Sequence, residues 1–216
     1  MGGLGELRRT YDGTPLERGD LHPDPMVQVA HWVAEARDAL DDTTEVNAVA
    51  LATADAEGRP SVRMVLLKDL DARGLTFYTN LASRKGHELR QNPYAALCLH
   101  WTSLFRQIRV SGPCAEVGRE EAAAYFATRP AGSKRGAWAS HQSAPIEDRA
   151  ALEARMAHAV ERFPDDGDVP LPPHWGGFRV TPVEVELWQG RPDRMHDRFR
   201  YRRDDAGAWV VERLQP

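Results

Sequence analysis

Apolar residues follow two different periods along the chain, and each period predicts a different kind of element. Over residues 24–40 apolar side chains recur every three or four positions, with Val29, Trp32 and Val33 on one side. This spacing predicts an amphipathic helix, and Pro25 suits its first turn because the backbone N–H that proline lacks has no intrahelical partner there. Residues 1–20 show neither period and are expected to form a flexible arm.

From residue 46 the pattern changes to short β-rich runs separated by glycine, proline and asparagine. Strands are predicted at 46–53, 62–68, 75–80, 95–101 and 105–117, and later at 178–189, 198–203 and 209–213. Helices are predicted at 119–128, 134–140 and 147–162, followed by a proline-rich loop at 164–173. We therefore expect an α+β fold, mainly β, in which an antiparallel meander closes or nearly closes into a barrel with peripheral helices. No repeat or long linker divides residues 21–216, which are expected to form a single domain.

Composition narrows the function classes. The 216 residues are 42% hydrophobic, enough for a substantial core, and carry 28 basic and 32 acidic side chains. A net charge of -4 argues against a broad nucleic-acid interface, so any anion site must be local. No apolar run suits a membrane span, and the N-terminal residues lack the apolar core of a signal peptide, so a cytoplasmic protein without membrane contact is expected. Cys98 and Cys114 form no Cys-x-x-Cys pair and the eight histidines lack metal-ligand spacing, so no metal is expected.

The most informative segment for chemistry is the basic run at residues 194–198. Read as a strand, it projects Arg194, His196 and Arg198 from one face, because side chains alternate between the two faces of a strand. Two guanidinium groups beside an imidazole suit an anionic partner. A solvated or salt-bridged strand face is the alternative.

A second anion signal lies between two predicted helices. Tyr125 and Arg129 are four residues apart and so share a helix face, and Pro130 ends that helix. Ser133 stands where the N-cap of the next helix is expected, so the three side chains and the helix start would converge on a small anion such as a phosphate. A plain pair of helices with an ordinary cap is the alternative.

Further basic and polar residues lie on the early strands. Arg63 and Lys68 mark the two ends of one strand on opposite faces, as expected if it served two ligands. Ser83-Arg84-Lys85 opens a short helix with basic residues, against the usual preference for acidic ones, which favours a bound anion over solvated side chains. Gln107 and Arg109 share a strand face where they could meet the edge of a flat heterocycle, although such a pattern is also routine on half-exposed strands.

These residues carry a resemblance to a known family. Six blocks in order resemble the signature series of the pyridoxamine 5′-phosphate oxidase family: Arg63-Met64-Val65-Leu66-Leu67-Lys68, Phe77-Tyr78-Thr79-Asn80 with Ser83-Arg84-Lys85, Arg129-Pro130 with Ser133 and Gly136-Ala137-Trp138-Ala139-Ser140-His141-Gln142-Ser143, Trp175-Gly176-Gly177-Phe178, Trp188-Gln189-Gly190 and Arg194-Met195-His196-Asp197-Arg198. The likeness extends from about Arg8 to Pro216. It departs at Met195, where leucine is expected, and at Lys134-Arg135, which replace a less charged pair.

The resemblance implies an FMN-binding split β-barrel that works as a homodimer with flavin at the subunit interface. It implies that FMN is bound by Arg63, Met64, Val65, Leu66, Tyr78, Thr79, Arg84, Lys85, Gln107, Gln142, Ser143, Trp188 and Arg198. Substrate-binding residues would be Arg8 and Tyr11 on the arm, with Lys68, Tyr125, Arg129, Ser133, Arg194 and His196, the last two also being catalytic.

The activity implied is oxidation of pyridoxamine or pyridoxine 5′-phosphate to pyridoxal 5′-phosphate, with O2 as electron acceptor and H2O2 as by-product. The group that accepts the substrate proton stays unassigned. Three alternatives remain open at this point. They are a flavin oxidase of phenazine metabolism on the same scaffold, a flavin or pyridoxal-phosphate binder without turnover, and a β-barrel interaction module.

Overall fold

A computed structural model describes residues 3–7, 9–165 and 169–216, and shows a nine-stranded antiparallel sheet with five α-helices in this part of the chain. The strands are β1 (Ala48–Ala54), β2 (Pro60–Asp71), β3 (Gly74–Asn80), β4 (Tyr94–Trp101), β5 (Arg106–Glu116), β6 (Trp175–Val180), β7 (Glu184–Gln189), β8 (Asp197–Arg203) and β9 (Trp209–Arg213). The helices are α1 (Pro25–Ala39), α2 (Arg84–Gln91), α3 (Arg119–Ala127), α4 (Ala131–Ala139) and α5 (Arg149–Arg162). None of the described helices is long and apolar enough to cross a membrane.

Six strands close into a barrel in the order β1-β2-β3-β6-β5-β4, because β4 pairs with both β5 and β1. The interior is filled by alternate side chains of these strands, including the fully buried Leu51, Phe77, Ile108 and Phe178. Helix α1 packs its apolar side against this core through residues such as Trp32, as its period predicts. The predicted barrel with peripheral helices is confirmed.

The barrel splits at Gly112 on β5. Residues 106–111 of β5 pair with β7 on one side, whereas 114–116 pair with β6. A side chain at Gly112 would place its Cβ within 1.9 Å of the Thr181 carbonyl oxygen, so only glycine allows this close approach. Strands β7, β8 and β9 therefore continue the sheet beyond the barrel.

The segment before α1 lies against this extension. Tyr11 packs edge-on against Phe105 and Trp188, and the backbone N–H of Leu16 donates to Asp197 at 3.1 Å. The buried Tyr201 hydroxyl donates to the His22 carbonyl at 2.8 Å. The flexibility expected of residues 1–20 stays a prediction, and Arg8 lies outside the described residues.

Three local predictions are wrong. The run at 194–198 is not one strand: Pro192–Arg194 form a 3-10 turn in which Arg194 has a φ of 62°, and β8 begins at Asp197. Ser133 is not an N-cap, because α4 begins at Ala131 and Ser133 lies inside its first turn. The predicted strand 178–189 is two strands, since the chain leaves the sheet around Pro182.

Candidate functional site

A cavity of about 680 Å³ opens between the barrel wall and helices α3 and α4. It brings together eleven of the residues predicted to bind cofactor or substrate. They are Met64, Val65, Leu66, Lys68, Tyr78, Thr79, Lys85, Tyr125, Arg129, Ser133 and Gln142. Segments far apart in sequence supply these side chains, so their meeting in one cavity is a property of the fold.

Lys85 forms the deep cationic wall of the cavity. It follows the N-cap Ser83 of α2 and is only 8% exposed. Its Nζ donates to Gln142 Oε1 at 2.8 Å and to Thr79 Oγ1 at 3.0 Å, both of which are neutral acceptors. Burial, helped by the charge of Arg63, lowers the pKa of Lys85 to about 8. A buried ammonium held by neutral oxygens fits an anionic ligand.

Arg129 is the second cation of the cavity. Its guanidinium lies over the rings of Trp175 at 5.0 Å and Phe126 at 5.5 Å. Its Nη1 is buried and has no hydrogen-bond partner among the described residues, and burial lowers the pKa of Arg129. An unsatisfied buried donor costs about 1–3 kcal/mol, more when charged, so this nitrogen also fits an anionic ligand.

Aromatic and rim residues complete the cavity. Tyr125 stacks on Tyr78, with ring centroids 4.1 Å apart and planes 9° apart. Lys68 and Ser133 are exposed at the rim. The register of β2 shifts at Lys68, a β-bulge or a similar irregularity. Arg63 and Lys68 were predicted to lie on opposite faces of the strand. In agreement, Lys68 lines the cavity and Arg63 does not.

Arg63 and Arg84 meet at Glu88, a residue that the sequence analysis missed. Glu88 on α2 is 3% exposed; its Oε1 accepts from Arg84 Nε at 2.7 Å and its Oε2 from Arg63 Nη2 at 3.1 Å. Burial alone would raise the pKa of Glu88, but hydrogen bonds from Ser61, Thr53 and the two arginines outweigh it and lower the pKa to about 2. The available signal was an acid four residues after Arg84, which places both on one face of α2.

Arg84 still presents its other guanidinium nitrogens outward. It lines a smaller pocket of about 530 Å³ together with Ser143, whose Oγ accepts from the Arg84 backbone N–H at 3.2 Å. This pocket shares Asn80 and Gln142 with the main cavity. The two predicted cofactor residues Arg84 and Ser143 therefore lie next to the cavity, and Arg63 lies behind it.

The remaining predicted cofactor residues lie elsewhere, on the outer face of the sheet. Gln107 on β5 pairs with Trp188 on β7, which pairs with Arg198 on β8, so the three form one cross-strand row. None of them lines the cavity. Five inter-strand steps separate β2 from β8 in the order β2-β1-β4-β5-β7-β8, roughly 24 Å along the sheet. One protomer does not bring the row to the cavity.

Glu186 holds Arg198 of this row in place, a role that was not predicted from the sequence. It is 3% exposed and accepts hydrogen bonds from Arg198 Nε at 2.9 Å and from the Arg109 guanidinium. Arg198 Nη1 also donates to the Gln215 carbonyl at 2.8 Å. Arg109, predicted to face a ligand beside Gln107, is therefore committed to an internal ion pair.

The two predicted catalytic residues lie at the end of the row. His196 packs against Trp188 at 4.7 Å and against Tyr11 at 5.3 Å between ring centroids. Arg194 is exposed and makes no hydrogen bond or ion pair within the described part of the chain. Arg194 and His196 lie close in sequence, but the 3-10 turn prevents them from sharing the strand face that was predicted.

Comparison with known proteins identifies the family. Residues 34–162 match the family model described as pyridoxamine 5′-phosphate oxidase, and residues 175–216 match the model described as the C-terminal dimerisation region of pyridoxine 5′-phosphate oxidase. The chain belongs to the pyridoxamine 5′-phosphate oxidase family. It is 50% identical to pyridoxine/pyridoxamine 5′-phosphate oxidase 1 of Ralstonia nicotianae and 49% identical to the corresponding oxidase of Ralstonia pickettii. Each match covers 100% of both chains.

Two solved structures share the fold. PhzG from Burkholderia lata, solved with tetrahydrophenazine-1-carboxylic acid, has a TM-score of 0.88 and 34% identity, covering 96% of this chain and 100% of that one. An FMN-binding protein related to pyridoxamine 5′-phosphate oxidase from Nostoc punctiforme has a TM-score of 0.71 and 21% identity, covering 91% and 99%. The first likeness is close over the whole chain, and the second shows the fold.

Proposed function

We propose that this chain is an FMN-dependent oxidase that converts pyridoxamine or pyridoxine 5′-phosphate to pyridoxal 5′-phosphate. One observation carries the proposal. Within the described residues, the cavity holds two cations with buried nitrogens and no acidic hydrogen-bond partner, Lys85 and Arg129, on different walls. Two such cations suit two anionic groups, one on the cofactor and one on the substrate, because a phosphate monoester prefers several charged donors. The curated relatives carry the name of this activity over their full lengths.

The cofactor side of the proposal concerns the β2, β3 and α2 walls. The Lys85 ammonium and the outward nitrogens of Arg84 fit the phosphate of FMN, while the backbone of 64–66 and Gln142 suit the edge of its ring system. When bound, the flavin supplies the two-electron chemistry and passes the electrons to O2. The chain's own contribution is to hold that ring against the barrel.

The substrate side concerns Lys68, Tyr125, Arg129 and Ser133. Arg129 would donate from its buried Nη1 to the substrate phosphate, and the other three side chains would bind the same phosphate. Anchoring the phosphate on α3 and α4 would orient the pyridine ring toward the β2 wall, so that the substrate carbon meets the flavin in a fixed geometry.

The proposed active unit is a homodimer whose partner completes each site. Met64 and Val62 on β2 are 63% and 70% exposed and share the outer sheet face with the row of Gln107, Trp188 and Arg198. The middle of that face carries the small residues Ala50 and Cys98. A two-fold axis through this face would bring the row of one protomer to the cavity of the other. The dimerisation region matched at residues 175–216 contains Trp188 and Arg198.

The experiment that tests the function uses the FMN-loaded protein in air. Each phosphorylated vitamer is added separately, and aldehyde and peroxide are measured together. Equal amounts of pyridoxal 5′-phosphate and H2O2 are expected from both vitamers. Tight binding without either product would identify a binder, and absence of flavin uptake would contradict the proposal altogether. The expected cytoplasmic location stays a prediction.

A second candidate is an oxidase of phenazine metabolism, supported by the likeness to PhzG. A tricyclic carboxylic acid lacks a phosphate, so it would leave the cationic pair of Lys68 and Arg129 without a phosphate partner. A reduced phenazine carboxylic acid serves as the discriminating substrate. We expect turnover of the vitamers to exceed turnover of the tricyclic acid, and the reverse order would favour the second candidate.

A further inference from the structure

The ring of His196 accepts a hydrogen bond from the backbone. The N–H of Arg191 donates to His196 Nδ1 at 3.0 Å. A backbone N–H can only donate, so Nδ1 must be the unprotonated nitrogen while this bond exists. The neutral ring then carries its hydrogen on Nε2.

The turn that presents this donor is itself held in place. Asp193 and Arg194 have φ values of 55° and 62°, a left-handed conformation that is unfavourable at non-glycine residues unless the surrounding structure holds it. The Met195 N–H closes the turn on the Pro192 carbonyl at 3.0 Å, and the Arg191 guanidinium donates to the Gly13 carbonyl. The surrounding structure therefore maintains a strained backbone beside His196.

The groups around His196 also oppose a charged ring. Tyr11 and Trp188, which also contact each other, pack against it, and the guanidinium of Arg194 lies near it. Burial and the charge of Arg194 lower the pKa of His196, against the opposing effect of Asp197. The Asp197 carboxylate is already engaged by the Leu16 N–H at 3.1 Å and by a charged partner, Arg213 Nη1, at 2.7 Å. Arg191 Nε is a further cation at 3.6 Å from that carboxylate.

We propose that His196 acts as a neutral Nε2–H hydrogen-bond donor to an electron-rich atom of the substrate, and not as the acceptor of the substrate proton. The Arg191 amide is the positioning group that selects this tautomer. A base would need a free ring nitrogen, yet Nδ1 faces the amide and Nε2 carries the hydrogen. The identity of the substrate rests on the proposed function, whereas the tautomer does not.

A direct test uses nitrogen-15 labelling of the histidines in the full-length FMN-loaded protein. Long-range proton–nitrogen correlation spectra distinguish the two neutral tautomers from the imidazolium. The His196 signals are assigned by their loss in His196→Gln, and His31→Gln, which removes an exposed α1 histidine, is the matched control. We expect the Nε2–H tautomer at pH 7. An Nδ1–H tautomer, or an imidazolium at that pH, would overturn the proposal.

Turnover of two His196 variants supplies the second readout. The glutamine side chain of His196→Gln would keep an amide N–H near the position of Nε2, so this variant should retain kcat within about tenfold of the unsubstituted enzyme, whereas His196→Ala should lose about tenfold more. The kcat/KM profile between about pH 5.5 and 7.5 should keep its shape in His196→Gln. Equal losses in both variants, with disappearance of an acidic limb, would identify His196 as the base. Lack of oxidase activity in the unsubstituted protein would defeat the proposed function but leave the spectroscopic result standing.

Discussion

The cations of the cavity and those of the outer sheet face differ in what neutralises them. In the cavity the hydrogen-bond partners of Lys85 are neutral, and the buried Nη1 of Arg129 has none among the described residues. On the sheet face Arg109 and Arg198 share the buried carboxylate of Glu186. A buried charge without an opposite charge is costly, so it persists where a ligand supplies the missing charge. The paired arginines are held in fixed positions by the protein itself.

This comparison predicts which substitutions impair binding and which impair folding. Cavity cations should matter for ligand affinity and little for stability. The carboxylate on the sheet face should matter for stability first. The largest effect is expected where both regions must act on one substrate molecule.

Mixing two impaired variants, one in each region, tests whether the regions meet across a dimer. Arg194→Leu should lower kcat by about a thousandfold, or roughly 4 kcal/mol of transition-state stabilisation, while flavin colour is retained. Combined with Arg129→Leu by refolding the two chains together, it should recover about one quarter of the normal activity, because half of the dimers are mixed and each mixed dimer has one intact site. Activity is measured as peroxide release at a substrate concentration well below the raised KM of Arg129→Leu, where that variant alone gives at most about a tenth of normal activity.

Refolding each variant alone is the control for this mixing experiment. No recovery in the mixture would show that Arg194 and Arg129 serve the same protomer's site, and the dimer proposal would then fail. Near-normal turnover of Arg194→Leu alone would remove its catalytic role.

Removing the charge of Glu186 tests the stabilising side of the comparison. Glu186→Gln should lower the free energy of unfolding by about 2–3 kcal/mol, because Arg198 loses its charged acceptor while Arg109 can turn to water. Urea denaturation measures the change. Glu153→Gln, which breaks the exposed pair with Arg149, is the matched control and should change stability by less than about 0.5 kcal/mol. A stability loss equal to that of the control would contradict the interpretation.

Arg129→Leu alone tests the cavity side. The KM for the phosphorylated substrate should rise roughly tenfold to a hundredfold, as expected for one lost charge-assisted contact of about 1.5–3 kcal/mol. The free energy of unfolding should stay the same or increase, since the variant removes a buried donor that has no partner in the described part of the chain. Steady-state kinetics and urea denaturation are measured on the same preparation. An unchanged KM with a large loss of stability would reverse the assignment.

The titration of Lys85 should have a smaller effect, a pH dependence of the affinity for FMN. Its pKa of about 8 in the free protein means that raising the pH through 8 removes the charge before FMN binds. Because bound phosphate favours the ammonium form, binding takes up a proton, and affinity for FMN should fall by up to about tenfold per pH unit above 8. Quenching of flavin fluorescence measures the Kd between pH 7 and 9. Lys85→Arg, which stays charged, should show a flat profile, and an equally steep one would contradict this role.

Sequence reasoning succeeded where the signal is local or periodic. The strands and helices appear close to their predicted positions because alternation and apolar spacing report directly on burial. The ordered blocks located ten of the eleven predicted side chains that one cavity assembles, and the helical spacing to Arg129 indicated the eleventh, Tyr125. It failed at Arg194 and Ser133, where one turn of 3-10 helix and a helix beginning at Ala131 changed which residues share a face. Local backbone turns of this kind have no periodic signature.

The order of apolar and polar residues by itself predicted the antiparallel meander and its helices, and the six signature blocks indicated the family to which the chain belongs. The tertiary structure alone decided that Glu88 and Glu186 hold four arginines, and that Lys85 and the buried nitrogen of Arg129 make no hydrogen bond to an acid in the described part of the chain. The physical reason is that charge pairing depends on distances between residues far apart in sequence. Those distances exist only after the sheet has closed.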